Sequence, residues 1–272
     1  AVIFRVDPTD DMRLIKASED GSKALVITDK DTNLTHLEWI DLQDGMRIKF
    51  GGDPEGKVDL EGIVFGGNKI LATSYSGGMP LTHAMDPGFG AVLKTLRESE
   101  PCATNIRIQG TDDSGQKILF SRFKGSAPGE TCLYDAGSGK TRVLWRERPR
   151  LEGTILSDCR PIEYRARDGC LIPAYLTLPR HGMAPFPLVV FPHGGPRMRT
   201  HAGFDGRVQF LASRGYAVLQ SNFRGSRGYG KAFMNAGDGQ WGKGVMQTDV
   251  ADGMDHLIKT GVVDRKRCAI LG

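Results

Sequence analysis

Polar and apolar positions alternate along short stretches of the first half, and in the second half they give way to unbroken apolar runs separated by helix-spaced stripes. Leu25 and Ile27 fall on one face of an extended segment, as do Ile118 and Phe120. Alternation with period two marks strands that bury one face. The pattern also repeats. Gly21-Ser22-Lys23-Ala24-Leu25-Val26 returns as Gly67-Asn68-Lys69-Ile70-Leu71-Ala72 and as Gly115-Gln116-Lys117-Ile118-Leu119-Phe120, with the lysines 46 and then 48 residues apart. A second marker travels with the first: Asp41-Leu42-Gln43-Asp44-Gly45, Asp86-Pro87-Gly88 and Asp135-Ala136-Gly137-Ser138-Gly139. Each unit reads turn, strand, loop, strand, Asp/Gly turn, strand. Short strands at this period predict about three β-propeller blades, a partial propeller over residues 1–148. An irregular β-sandwich is the competing architecture. Because a ring needs roughly four to eight blades, the others are expected ahead of Ala1, on another chain, or absent.

Beyond the charged stretch Arg146-Glu147-Arg148-Pro149-Arg150 the pattern changes. Pro161–Arg167 and Leu171–Leu178 flank Asp168-Gly169, which predicts a two-residue hairpin turn with Cys170 opposite Arg167 and Cys159 opposite Leu178. Pro173 points to an edge strand. Leu188-Val189-Val190-Phe191 is an apolar run of the kind found in strands buried on both faces. Phe204, Val208 and Leu211 have helical spacing ended by Gly215, and Tyr216–Leu219 is another buried strand. Met246, Val250, Met254, Leu257 and Ile258 stripe a longer helix that Gly261 stops, and Cys268–Leu271 closes the series as a strand. This order predicts a mostly parallel sheet over residues 149–272. Ligands bind such sheets outside the carboxyl ends of the strands, which selects the loops after Phe191 and after Leu271.

Composition changes this picture little. Hydrophobic residues make up 39% and charged residues 25%, the balance of a soluble globular chain. The net charge of +4 is spread over 36 basic and 32 acidic residues, and the Arg146–Arg150 cluster reads as a solvated linker. No nucleic-acid partner and no membrane are expected. Ala1-Val2-Ile3-Phe4-Arg5 carries neither an initiator Met nor a leader signature and reads as a cut end. Five irregularly spaced cysteines predict free thiols in a reducing compartment, hence the cytoplasm. With neither CxxC nor HExxH, no metal and no cofactor is expected.

The candidate chemistry lies in His193-Gly194-Gly195-Pro196, which follows the Leu188–Phe191 strand. Acyl transfer passes through an oxyanion that needs N–H donors about 3 Å away. Glycine presents a backbone N–H without a side chain in the way. The Gly195 N–H is the expected donor, Gly194 shapes the turn, and His193 is structural; a tight loop without chemistry is the alternative. Ala269-Ile270-Leu271-Gly272 reads as the strand entering a G-x-S-x-G nucleophile elbow whose serine would follow Gly272. No serine of the chain stands in that motif, and Ser226, the nearest in context, has Arg224 two positions before it. Arg224 is a candidate substrate contact or, alternatively, a loop anchor paired with an acid. Trp241 is expected to pack a loop against the sheet, with substrate stacking as the alternative. Asp249 and Asp252 are expected to stabilise a helix or anchor a loop.

Phe191–Pro196, Ser221-Asn222-Phe223-Arg224-Gly225-Ser226-Arg227-Gly228-Tyr229-Gly230, Gln240-Trp241-Gly242, Asp249-Val250-Ala251-Asp252 and Ala269–Gly272 follow one another in this order. Together they resemble the prolyl oligopeptidase family of serine peptidases, above all its acylaminoacyl-peptidase and dipeptidyl-peptidase-like members, over roughly residues 150–272. The resemblance implies a propeller capping an α/β-hydrolase domain, with peptide substrates meeting a Ser-Asp-His triad between the two. Of that machinery only the oxyanion loop, at Gly195, maps onto this chain. The expectation is therefore a fragment of a peptidase, itself inactive, holding the N-terminal half of the hydrolase domain. An esterase on the same fold, or a propeller-based binding protein with a degenerate hydrolase domain, are the alternatives.

Overall fold

The repeated glycine of the first half forms the corner of a hairpin in all three units. Gly21, Gly67 and Gly115 sit at φ of +68°, +55° and +69°, and each hands the chain to a strand beginning two residues later. A side chain disfavours that backbone region, which is why glycine recurs there. The computed structural model describes residues 5–78, 80–99, 105–123, 126–195 and 197–272. The chain start through Phe4, Cys102 and Pro196 lie outside the described residues.

Three antiparallel sheets follow one another. The first joins β1 (Met12–Ala17), β2 (Lys23–Thr28), β3 (His36–Asp41) and β4 (Arg47–Phe50) in chain order. The second joins β5 (Leu60–Gly66), β6 (Lys69–Ser76) and β7 (Pro80–Ala84). After α1 (Pro87–Ser99), the third joins β8 (Asn105–Thr111), β9 (Lys117–Phe123), β10 (Glu130–Asp135) and β11 (Lys140–Arg146). Leu25 and Ile27 share one apolar cluster, and Ile118 and Phe120 another, as the alternation requires.

The middle unit departs from the expected pattern. Asp86-Pro87-Gly88 starts a helix instead of a turn into a strand. The Phe89 N–H donates to Asp86 Oδ1 at 2.8 Å, and proline at the first helical position costs no hydrogen bond. The helix then buries Phe89, Leu93 and Leu96 in the cluster that holds Ile118 and Phe120.

The remaining strands form one mixed sheet in the order β12-β13-β15-β14-β16: β12 (Cys159–Arg165), β13 (Leu171–Thr177), β14 (Phe186–Val190), β15 (Ala217–Ser221) and β16 (Val263–Ile270). The β14–β15 and β14–β16 pairs are parallel; β12–β13 and β13–β15 are antiparallel. The expected mostly parallel sheet is thus half antiparallel, because the hairpin around Asp168-Gly169 adds two strands to its side. That hairpin has a three-residue loop. Arg165 opposes Leu171 and Cys159 opposes Thr177, one residue away from the expected register, with Gly169 at φ +87°. Cys159 and Cys170 are both free thiols. Pro173 lies on β13, an inner strand and not an edge. It is tolerated because the β13–β15 ladder begins at Ala174, and beyond it the Pro173 carbonyl accepts from the Asn222 N–H at 2.8 Å.

Two helices flank the sheet, α2 (Gly206–Ser213) and the longer α4 (Gly244–Lys259); the short α3 (Lys231–Asn235) lies between β15 and α4. Asp205 caps α2 by accepting from the Arg207 N–H, so Phe204 precedes the helix it was expected to join. Val263 starts β16 five residues before the expected Cys268. Trp241 is 64% exposed and does not pack a loop against the sheet. No helix among the described residues is long and apolar enough to cross a membrane.

Met246, Val250 and Leu257 of α4 pack on Leu188, Val190 and Leu219 of the sheet, with Tyr164 between them. The Tyr164 hydroxyl donates to the Asp249 carbonyl at 2.7 Å and lies 2.9 Å from Ser221 Oγ. A Cβ at Gly253 would fall 2.6 Å from Tyr164 Cζ. Gly253→Ala is expected to destabilise the protein by about 2 kcal/mol through this overlap. Gly110→Ala, where a Cβ meets nothing within 4 Å, is expected to stay within about 0.5 kcal/mol of the parent. Urea-unfolding midpoints of the two variants check the contrast.

Candidate active site

In the order β15-β14-β16 the chain leaves β14 on one side to form β15 and later returns on the other as β16. The crevice at the carboxyl end of β14 is therefore a topological switch point, where open α/β sheets bind ligands. A cavity of about 400 Å³ opens there, lined by Phe191, His193, Gly194, Arg199, His201 and Gly272 among others. The two loops selected from the sequence meet in it.

Gly195 has φ +132°, and a Cβ there would fall 2.6 Å from Met198 Cγ and 2.9 Å from Met198 N. A Cβ at Gly194 meets nothing within 4 Å. Gly194 lines the cavity, and Gly195, the next residue, is not part of its lining. The position whose glycine is sterically obligatory is thus the one assigned from the sequence as the donor.

His193 is held on three sides. Its ring stacks on Phe223 with centroids 4.5 Å apart and planes 13° apart. Nδ1 lies 2.9 Å from the Gly194 carbonyl and Nε2 2.8 Å from Ser226 Oγ. Burial, aided by the nearby Arg199 charge, pushes the His193 pKa below the ordinary imidazole value, although the Gly194 carbonyl opposes the shift. Ser226 is 0% exposed and its hydroxyl donates to the Phe223 carbonyl at 2.7 Å. The pair ties the loop after β14 to the loop after β15.

Arg224 is 11% exposed and does not line the cavity. Its Nε and one terminal nitrogen reach the two oxygens of Asp249 at 2.9 and 2.6 Å, and its backbone N–H adds a third bond at 3.0 Å. The other terminal nitrogen meets Asp168 at 2.5 Å. Asp249 foremost, then Asp168, holds the guanidinium pKa well above its ordinary value. Asp252 anchors the hairpin in a similar way, accepting from the Arg167 backbone at 2.8 Å and its guanidinium at 2.7 Å. Asp249 and Asp252 of α4 therefore both anchor loops.

Residues passed over in the sequence complete the frame. Asn222, fully buried, accepts from the Thr200 N–H at 2.7 Å and donates to the Thr200 carbonyl at 3.0 Å and to the Tyr229 hydroxyl at 2.7 Å. An amide directly after the buried strand Ala217–Ser221 was the available signal, since a buried polar group demands partners. From the antiparallel half, Asp59 accepts from the Gly230 N–H at 3.0 Å, the Asn33 carbonyl from the Lys231 N–H at 2.7 Å, and Asp10 from Lys231 Nζ at 2.6 Å.

The prolyl oligopeptidase family model matches residues 202–272. Dipeptidyl aminopeptidase BIII of Pseudoxanthomonas mexicana is 36% identical over 264 residues, covering 93% of this chain and 37% of the relative. Dipeptidyl peptidase family member 6 of Caenorhabditis elegans is 35% identical over 203 residues, covering 66% of this chain and 27% of the relative. A solved puromycin-hydrolyzing peptidase of Mycobacterium tuberculosis superposes with TM-score 0.75 at 24% identity, covering 96% of this chain and 40% of that one. The chain thus spans well under half the length of the relatives it matches. It shares the fold type of peptidases that join a β-propeller to an α/β-hydrolase domain.

Two outcomes follow from this geometry. Because its folded pKa is depressed, His193 takes up a proton more readily in the unfolded chain. Its stability contribution is complete above the unfolded value near ~6.5 and is lost as pH falls through that value toward the folded pKa. Unfolding free energies measured between about pH 7.5 and 5 are expected to fall less steeply in His193→Gln than in the parent. Asp249→Ala, which removes the main partner of a nearly buried guanidinium, is expected to cost about 3 kcal/mol in the same assay.

Proposed function

We propose that this chain, which belongs to the prolyl oligopeptidase family, is the oxyanion-binding part of a serine peptidase that hydrolyses short peptides. The observation that carries this is the loop at the β14 switch point, whose Gly195 adopts a backbone conformation closed to other residues beside Met198. In this reading residues 1–148 form about three blades of a propeller and residues 149–272 the N-terminal part of the hydrolase domain. The antiparallel half forms a wall over the site, and peptides enter between the two parts. The free thiols Cys159, Cys170 and Cys268 go with a reducing, cytoplasmic setting.

The reaction is acyl transfer. A serine Oγ attacks the scissile carbonyl while a histidine takes its proton. The Gly195 N–H and the N–H following the serine donate to the oxyanion as it forms. The histidine, oriented by an aspartate, then returns the proton to the leaving amine, and water releases the acyl group by the same steps in reverse. In this reading the whole protein supplies the triad outside these residues: no serine here has glycine both two before and two after it, and in this fold the aspartate and histidine follow the serine in chain order. Ser226 is excluded by burial. Arg224, its donors directed at Asp249 and Asp168, serves as a loop anchor instead of a substrate contact.

Two measurements test this. A fluorophosphonate probe is expected to leave the present chain unlabelled; stoichiometric capture of one of its serines would overturn the assignment. In the whole peptidase, replacing the Gly195 amide by an ester removes one N–H and keeps the shape. The kcat on short peptides is expected to fall roughly 100- to 1,000-fold, and an unchanged kcat would remove Gly195 from the mechanism.

A further inference from the structure

We infer that Arg199 is a positioning residue, held by Glu61 of the antiparallel half, and that this pair fixes the loop carrying Gly194 and Gly195. The inference rests on that loop being the oxyanion site. Arg199 lies on the wall of the cavity, yet its side chain is only 6% exposed. One terminal nitrogen faces Glu61 Oε1, on β5, at 3.4 Å. The other donates to the Tyr229 hydroxyl at 2.9 Å, and the guanidinium lies 4.4 Å from the centroid of the same ring. A planar guanidinium that stacks and donates at once is a match lysine does not reproduce.

From Arg199 the contacts run back to the glycines. Tyr229 also receives the Asn222 amide, and Asn222 grips the backbone N–H and carbonyl of Thr200, the residue after Arg199. The Met198 carbonyl accepts from the Arg227 N–H at 3.2 Å, and Met198 is the residue against which Gly195 packs. Space for the guanidinium is kept by Gly228, where a Cβ would fall 1.9 Å from Arg199 Nη1. Glu61 is 138 residues from Arg199 in sequence and reaches the cavity wall from the antiparallel half. Its placement makes the seating of the antiparallel half a determinant of loop geometry. A shift of β5 changes the charge facing Arg199, and Tyr229 and Asn222 carry that change to Thr200 and Met198.

Hydrogen exchange and the imidazole nitrogen resonances of His193 test this on the present chain. Glu61→Ala is expected to speed exchange of amides 194, 195 and 197–200 roughly tenfold and to shift the His193 resonances, with β14 and β16 unaffected. Glu61→Gln, which keeps an acceptor, is expected to recover part of the protection. Arg199→Lys, which loses the stacked fork, is expected to loosen the same amides. Parent-like exchange and resonances in Glu61→Ala, parent-like behaviour of Arg199→Lys, or uniform acceleration through β14 and β16 would each overturn the inference. None of these readouts needs substrate or nucleophile. They therefore stand or fall apart from the peptidase assignment, which the ester replacement at Gly195 tests.

Discussion

The buried pair between Arg224 and Asp249 is the contact on which the candidate site depends. It joins the loop after β15 to the middle of α4, and through Asp168 it reaches the β12–β13 hairpin. Removing two charges from water costs several kcal/mol each, so such a pair persists only where geometry and added hydrogen bonds offset that cost. Here both carboxylate oxygens and the Arg224 backbone N–H are engaged. An apolar replacement of similar volume could match its stability but not its direction. What the pair contributes is the fixed path of residues 222–230, and that segment supplies Asn222, Phe223, Ser226 and Tyr229 to the loop bearing Gly195.

Steric reservation does the rest. At Gly195, Gly228 and Gly230 a Cβ would collide with Met198, Arg199 and Asn33 respectively, and all three have positive φ. Each glycine therefore answers two constraints at once, a backbone shape and a neighbour at van der Waals contact. Gly230 brings the strand-following loop against the first antiparallel sheet, Gly228 admits the guanidinium, and Gly195 closes the turn at the cavity. The site is assembled from backbone that only these residues permit, which is why its side chains can remain few.

Much of the fold was legible because period and punctuation are local signals. The glycines before Lys23, Lys69 and Lys117, the apolar run at Leu188 and the stripe of α4 each declare themselves within a dozen residues. The misses share one cause, a neighbour that local sequence does not name. Asp86-Pro87-Gly88 copies the turn marker of its sister units, yet a carboxylate cap and a proline start a helix where the others start a strand. Pro173 looked like an edge residue because proline cannot donate to a ladder, yet the ladder to its strand's second partner starts only at Ala174. Within the site, the His-Gly-Gly signature was visible and Arg224 carried its own alternative. Glu61 and Arg199, 138 residues apart, could not be paired without the fold.

Ser226 and His193 show how far geometry alone falls short as a criterion of catalysis. Their 2.8 Å separation is that of a nucleophile and its base, and His193 belongs to the His-Gly-Gly loop at the cavity. Yet the hydroxyl is 0% exposed and already donates to the Phe223 carbonyl, and the imidazole is clamped flat on Phe223. No acyl carbon can approach such an oxygen without dismantling the contact that orients the loop. The same bond that would activate a serine at a surface here closes one loop over another. Accessibility decides between the two uses, and it assigns this pair to holding the Gly195 turn in place.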